Sequence, residues 1–275
     1  MYISPKLKVV TYSAKQKFVT LKSWNLLLIF AIVFSLLLSP FLGMFSGSLS
    51  SEAYASGLSY EWAKAHGGYF SRILVVSIGT DGSVYTAGYF QSTVDFDPGA
   101  GTSNLTSDGL LDMFISKLDS DGNFVWAKRM GGTGTDTIST IFLDDSNNIY
   151  STGGFAGTVD FDPGAGTSNL TSAGSNDVFI SKLDSNGDFV WAKKVGGGTG
   201  DYAYNVIGNG TTSVYLSGTF TGTVDFDPGV GTSNLVSNGS VDMFFLKIDS
   251  DGNYIWAKQI GGNDYDEPYA MNIDD

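Results

Sequence analysis

Six aspartates, set as pairs in three copies of one phrase, are the residues of this chain best placed for chemistry. T-V-D-F-D-P-G-A-G-T-S-N-L-T-S fills residues 93–107 and recurs at 158–172, and T-V-D-F-D-P-G-V-G-T-S-N-L-V-S follows at 223–237. In an extended chain alternate side chains share a side. Asp95 therefore pairs with Asp97, Asp160 with Asp162 and Asp225 with Asp227. Two carboxylates and nearby loop carbonyls form a hard oxygen set suited to Ca²⁺. The same letters also read as a turn, in which Pro presets φ and Gly takes a positive value. The turn is the preferred reading, with low-affinity calcium binding at these six residues as the alternative.

Other chemical signatures weaken when their spacing is checked. Gly131–Ile138, G-G-T-G-T-D-T-I, matches the calcium nonapeptide letter by letter. That motif works by stacking successive copies, whereas here the next copy is a whole unit away and reads GGGTGD at 196–201. It is read as a glycine-rich turn. D-S-D-G-N at 119–123 and 249–253 has its glycine too early for an EF-hand and no closing Glu. It also misses the sialidase Asp-box spacing. The single histidine, His66, lies in the first, divergent copy of an outer strand, so no Ser-His or Cys-His arrangement recurs. Near-identical repeats favour a scaffold or multivalent binding over one asymmetric catalytic constellation. No catalytic or cofactor-binding residue is assigned.

The elements that must position the aspartates repeat with them. Asp95, Asp160 and Asp225 are 65 residues apart, as are Trp126, Trp191 and Trp256. A fixed period of this size indicates an array of supersecondary units. Within a unit, Ile73–Val76, Ser83–Phe90, Asp112–Leu118 and Phe124–Lys128 are short β-branched and aromatic runs bounded by turn residues. Asp-Gly at 121–122, Asn-Gly at 186–187 and Asp-Gly at 251–252 suit tight hairpins between third and fourth strands, and Asp81-Gly82 and Asn147-Asn148 serve between first and second. The other two connections then lie on the opposite face, where the acidic phrase decorates one rim. The fold class expected is all-β: a β-propeller of four-stranded antiparallel blades, at about 72–130, 137–195 and 202–260.

The succession GG-x-G-x-D, N-x-Y-x-T-G-x-F, VDFDPG and D-x-F-x-x-K-L-D-S-x-G-x-x-x-WAK resembles the SBBP-type β-propeller repeat of exported bacterial and archaeal proteins, over about residues 59–275. The resemblance implies a surface or secreted propeller, usually part of a larger protein, and no general catalytic residues. K-L-D-S-D-G-N-F-V-W at 117–126 is also similar to the tryptophan-docking motif of quinoprotein-like propellers, one residue short. That likeness implies a packing role for Trp126, Trp191 and Trp256 and carries no cofactor with it.

Composition bounds the setting. The 275 residues include 36 Gly and no Cys. A turn-rich, cysteine-free exported chain suits a bacterial-type surface protein. Residues 1–55 read as a signal peptide: five lysines precede LLLIFAIVFSLLL at 26–38, and Ala53-Tyr54-Ala55 supplies the processing site. A retained anchor is the alternative, and the membrane enters only through that leader. Residues 56–275 then hold 10 basic and 27 acidic residues, a net charge of −17. Such a surface excludes nucleic acid as a partner, since phosphate recognition needs a basic footprint. Ser59–Lys64 matches an orphan outer strand and residues 269–275 an orphan inner strand. Closed propellers need about 4–8 blades, so the expectation is an incomplete ring, with further C-terminal blades of the same chain as a partner. The function expected is an exported interaction module for an extracellular protein or glycan. The alternatives are a propeller enzyme (hydrolase, lyase or quinoprotein-like) completed beyond residue 275, and a calcium-stabilised adhesin-type repeat.

Overall fold

The computed structural model describes residues 70–210 and 212–273. The leader, Ser59–Lys64 and His66 lie outside the described residues. The chain divides into two units, Met1–Ala65 and His66–Asp275, and every described residue belongs to the second.

Every regular element among the described residues is a strand. β1 (Phe70–Ile78) and β2 (Val84–Gln91) are followed by a small hairpin, β3 (Thr93–Asp95) and β4 (Asn104–Thr106), and then by β5 (Asp112–Leu118) and β6 (Phe124–Gly132). The pattern returns as β7 (Thr137–Leu143), β8 (Ile149–Phe155), β9 (Thr158–Asp160), β10 (Asn169–Thr171), β11 (Asp177–Leu183) and β12 (Phe189–Val195). It returns again as β13 (Tyr202–Gly208), β14 (Ser213–Phe220), β15 (Thr223–Asp225), β16 (Asn234–Val236), β17 (Asp242–Asp249) and β18 (Tyr254–Ile260). The long strands pair in order β1-β2-β5-β6, β7-β8-β11-β12 and β13-β14-β17-β18, all antiparallel. The first strands of adjacent sheets stand against one another. This is a propeller-like arrangement of four-stranded sheets.

Burial explains why the middle strands read as continuous apolar and small-residue runs. β8 is buried along its whole length and β11 nearly so, because the second sheet has a sheet on either face; β2 is nearly as buried, packed on the second sheet on one side and with Val94 and Phe96 of its own unit on the other. One core cluster joins Tyr150, Val178 and Ile180 of the second sheet to Leu216, Phe244 and Leu246 of the third. A second joins Tyr85, Met113 and Ile115 of the first sheet to Ile141, Ile149 and Phe179 of the second. The outer strands β6, β12 and β18 are only half-buried over most of their length.

The hairpins between third and fourth strands form where the sequence places them, by a different turn. Gly122, Gly187 and Gly252 have φ of 78°, 77° and 81°, but the preceding Asp121, Asn186 and Asp251 do not enter the positive region. Asp119 begins a four-residue turn: its carbonyl accepts from Gly122 N at 3.0 Å, and its carboxylate accepts from Asp121 N and Asn123 N. An Asp at the first position and a Gly at the fourth are the residues such a turn favours. Between first and second strands, Gly82 and Asn147 take the left-handed conformation. No strand forms over Tyr269–Ile273, where the sequence pattern predicts an innermost one. A strand of this kind needs a second strand to receive its backbone hydrogen bonds.

Candidate functional site

The acidic phrase folds as a hairpin whose apolar letters hold it down. Val94 and Phe96 point inward, 1% exposed each, and Asp95 and Asp97 point outward. The Phe96 ring lies 5.3 Å from Phe90 and 4.7 Å from Phe114, centroid to centroid. Phe161 repeats this with Phe155 and Phe179, and Phe226 with Phe220 and Phe244. Burying one such ring is worth roughly 1.5–3 kcal/mol. The central Phe of V-D-F is thus a structural anchor in all three copies.

The carboxylates of the phrase close the loop that the anchor carries. Asp95 Oδ1 accepts from Asp97 N at 3.1 Å and from Ser103 N at 2.8 Å, joining the two sides of the loop neck. Asp160 does the same with Asp162 N and Ser168 N, and Asp225 with Asp227 N and Ser233 N. Asp97, Asp162 and Asp227 accept from Gly99, Gly164 and Gly229 N at 2.7, 2.8 and 2.8 Å. The expected positive φ at these glycines is absent. The aspartate crowds the next glycine of the loop instead: a Cβ on Gly101 would sit 2.1 Å from Asp97 Oδ2, and Gly166 and Gly231 stand likewise to Asp162 and Asp227. Left-handed backbone occurs instead at the hairpin entrance, at Ser92, Gly157 and Gly222. In each predicted pair the first carboxylate thus accepts from the backbone of the second, and both are engaged in closing the loop. Among the described residues no three His, Cys, Asp or Glu side chains gather as a metal site.

A second set of aspartates carries the junctions between sheets. The sequence shows their recurrence in D-x-F and GG-x-G-x-D but no role. Asp112, Asp177 and Asp242 are fully buried at the start of the third strands. Asp112 accepts from Asp108 N and pairs with Arg129, and Asp177 accepts from Ala173 N and pairs with Lys194 at 3.0 Å. Asp242 meets Gln259 in place of a cation. Burial raises the Asp112 carboxyl, against the hydrogen bonds and charge of its partners. Asp136 accepts from Gly132 N at 2.9 Å and Ala156 N at 3.1 Å, tying the glycine-rich connection to the next hairpin's entrance. Burial pushes its pKa up to about 6, and the Asp112 charge adds to the rise. Asp201 repeats the arrangement with Gly197 N and Thr221 N, and its pKa is raised by burial and by Asp177. Desolvation dominates where a carboxylate has no close cation.

Across each junction the hairpin of one unit pairs with the outer strand of the unit before. Gly131 pairs with Asp160 and Gly132 with Val159, and Gly196 bridges to Asp225. Both glycines of the pair are sterically required. A Cβ on Gly131 would lie 2.4 Å from Asp112 Cγ, and one on Gly132 would lie 2.1 Å from Thr158 O. Trp126 packs against Gly187 of the following turn, and Trp191 packs against Gly252 while donating from Nε1 to Ser250 O at 3.3 Å. The lysine opposite each Trp lies about 5 Å over a tyrosine ring: Lys117 over Tyr85 and Lys182 over Tyr150, at 5.0 and 4.9 Å. These lysines donate onward to Ser185 O and Ser250 O. The packing role inferred for the tryptophans has this physical form.

The chain is similar to an uncharacterized WD repeat-containing protein, L264, of Acanthamoeba polyphaga mimivirus, 24% identical over 213 residues covering 68% of this chain and 15% of that protein. It is also similar to the regulatory protein FlaEY of Caulobacter vibrioides, 25% identical over 223 residues covering 77% of this chain and 22% of that protein. The chain thus spans less than a quarter of the length of either curated relative. No family model matches it.

Proposed function

We propose that residues 70–273 form an open β-propeller of three blades with a 65-residue repeat, and that it is a multivalent protein- or glycan-interaction module, exported and non-catalytic. The observation that carries this reading is the triplication of one exposed loop on a rigid base. Residues 99–102, 164–167 and 229–232 are exposed or half-buried, while the Phe and Asp letters around them are committed to packing and loop closure. Loops on a rigid scaffold are where binding residues concentrate, and three similar loops give avidity without any strong single site. The distant likeness to a WD repeat-containing protein supports an interaction role. On this reading the six aspartates of the phrase shape the loops, and Ca²⁺ is not required.

The test is binding of the full chain to arrays of extracellular glycans and surface proteins, with the tips at 99–102, 164–167 and 229–232 recast by substitution in one, two or all three copies. Avidity predicts losses that multiply from copy to copy. Undiminished binding with all three tips recast would assign recognition elsewhere on the molecule.

A further inference from the structure

We infer that the junction between the first and second units, and that between the second and third, each hold an internal water molecule, bound at the hydroxyl of the tyrosine near the start of the second strand. Tyr85, Lys117 and Trp126 are direct cross-strand neighbours on β2, β5 and β6, and Tyr150, Lys182 and Trp191 repeat the row on β8, β11 and β12. Each row faces the next unit: Lys117 Nζ donates to Ser185 O at 3.4 Å and Lys182 Nζ to Ser250 O at 3.2 Å. In both rows the tryptophan stands edge-on to the tyrosine, with ring centroids 6.1 Å apart.

The hydroxyls of these rows lack protein partners. Tyr85 and Tyr150 are fully buried, and neither Oη hydrogen-bonds to any group among the described residues. Trp126 Nε1 in the first junction is buried and unpartnered as well, whereas Trp191 Nε1 in the second reaches Ser250 O. A buried O–H left unbonded is destabilising, and folded proteins satisfy such groups with protein atoms or with ordered water. Phenylalanine would keep the ring packing and remove the problem. Yet tyrosine stands at 85, 150 and 215, in all three copies, while the ring five residues further on is phenylalanine in all three, at 90, 155 and 220. The hydroxyl itself is what the repeat keeps.

The surroundings of both hydroxyls are polar. In the first junction Asp81 Oδ2 lies 3.7 Å from Lys117 Nζ. A Cβ on Gly79 would lie 2.7 Å from Asp81 Oδ1, 2.9 Å from Asn147 Oδ1 and 3.1 Å from Tyr85 Cε2, so turns of two units meet beside this ring. In the second junction burial raises the Tyr150 pKa, Lys182 lowers it, and Asp144 and Asp251 raise it, which sets charges of both units about the hydroxyl. Apolar internal spaces stay dry, whereas polar ones hold a water that makes about three hydrogen bonds. The groups present can supply them: an ammonium donates, a hydroxyl donates or accepts, and a carboxylate accepts. Charge favours water over an ion, because each lysine already has carboxylates near it: Asp81 in the first junction, Asp144 and Asp251 in the second.

The experiment combines crystallography and urea unfolding of the full chain. Crystals grown in bromide, diffracting far enough to order internal waters, are expected to show one density peak within hydrogen-bond reach of Tyr85 Oη and one within reach of Tyr150 Oη, neither with an anomalous bromide signal. In urea unfolding, Tyr85→Phe and Tyr150→Phe should each raise the unfolding equilibrium constant by about two- to tenfold, because a hydrogen bond to the water is lost. A hydroxyl with no partner at all gives the opposite sign, since phenylalanine then relieves it. A missing peak at either hydroxyl, a direct contact of the hydroxyl with its lysine in place of the peak, a bromide signal there, or Phe variants at least as stable as the wild type would each overturn the inference.

Discussion

Asp136 gives the sharpest physical test of the junctions. Its carboxylate is fully buried, holds two backbone N–H groups and faces the charge of Asp112, and its pKa is raised from 3.8 to about 6. Between those two values the folded chain binds a proton that the unfolded chain has released. The folded-state pKa is the higher one, so this group's stabilisation is fully present below about pH 3.8 and is lost as pH rises through about 6. At about 1.4 kcal/mol per pKa unit the full effect is about 3 kcal/mol, of which a little over 2 kcal/mol falls between about pH 4 and about pH 7. Asp112 and Asp201 add to the trend, while Asp81, Asp119 and Asp249, whose carboxyls are lowered, oppose it. Asp136→Asn isolates the one group. The variant leaves an amide facing one of the two N–H donors, at a cost of about 1–3 kcal/mol that does not depend on pH. Urea unfolding of both proteins at the two pH values gives the quantity of interest, wild type minus variant. That difference should move by about 2 kcal/mol against the wild type as pH rises. A difference that stays constant within about 0.5 kcal/mol would refute the argument that burial and Asp112 hold this carboxyl high.

Other outcomes rest on the same contacts. Gly132→Ala should cost about 1–3 kcal/mol through overpacking, while Gly262→Ala, where a Cβ meets nothing within 4 Å among the described residues, should leave the melting temperature unchanged; equal effects would deny the hairpin its part in the junction. Trp191→Ala should cost up to about 3 kcal/mol in urea unfolding, and Trp256→Ala clearly less, since Trp191 reaches Gly252 and Ser250 of the next unit. Asp95→Ala should cost about 1 kcal/mol and speed amide exchange over residues 96–103, because it removes the acceptor for Asp97 N and Ser103 N. Melting curves in millimolar Ca²⁺ and in chelator should coincide; a rise of several degrees with calcium would return the six aspartates to the role of ligands.

The strands and their order were legible because three copies of each signal agree. Short β-branched and aromatic runs and Asx-Gly turns recur at fixed intervals, and local preference and global fold point the same way. The acidic phrase was legible as a connection but not as a hairpin. Its strands are three residues long, below what alternation can register, and β9 owes part of its pairing to β6 of the unit before. The glycines misled for a related reason. Gly99 looks like a residue chosen for positive φ, yet its φ is not positive; the tighter constraint falls two residues on, at Gly101, where a Cβ would lie 2.1 Å from Asp97 Oδ2. Sequence reports that a position is glycine, and only the neighbours report why.

The buried aspartates show what repetition conceals. In a chain of net charge −17 after the leader, acidic letters read as solvated surface, and among the described residues six of them are instead almost wholly inside: Asp144 in a turn, Asp136 and Asp201 in the glycine-rich connections, and Asp112, Asp177 and Asp242 at the start of the third strands. The partners of the last three differ from unit to unit, with Arg129 at Asp112, Lys194 at Asp177 and neutral Gln259 at Asp242. A buried carboxylate with a cation is compensated, and one without it relies on hydrogen bonds alone. The third unit therefore carries the least compensated of these three carboxylates. Replacing Gln259 by Arg tests whether that weakness is electrostatic. The substitution offers Asp242 the partner that Asp112 has, and should raise stability at neutral pH by about 1 kcal/mol. Gln259→Met, which fills similar space without the charge, should give no such gain. An equal gain from Gln259→Met would place its origin in the packing of the side chain rather than in the charge.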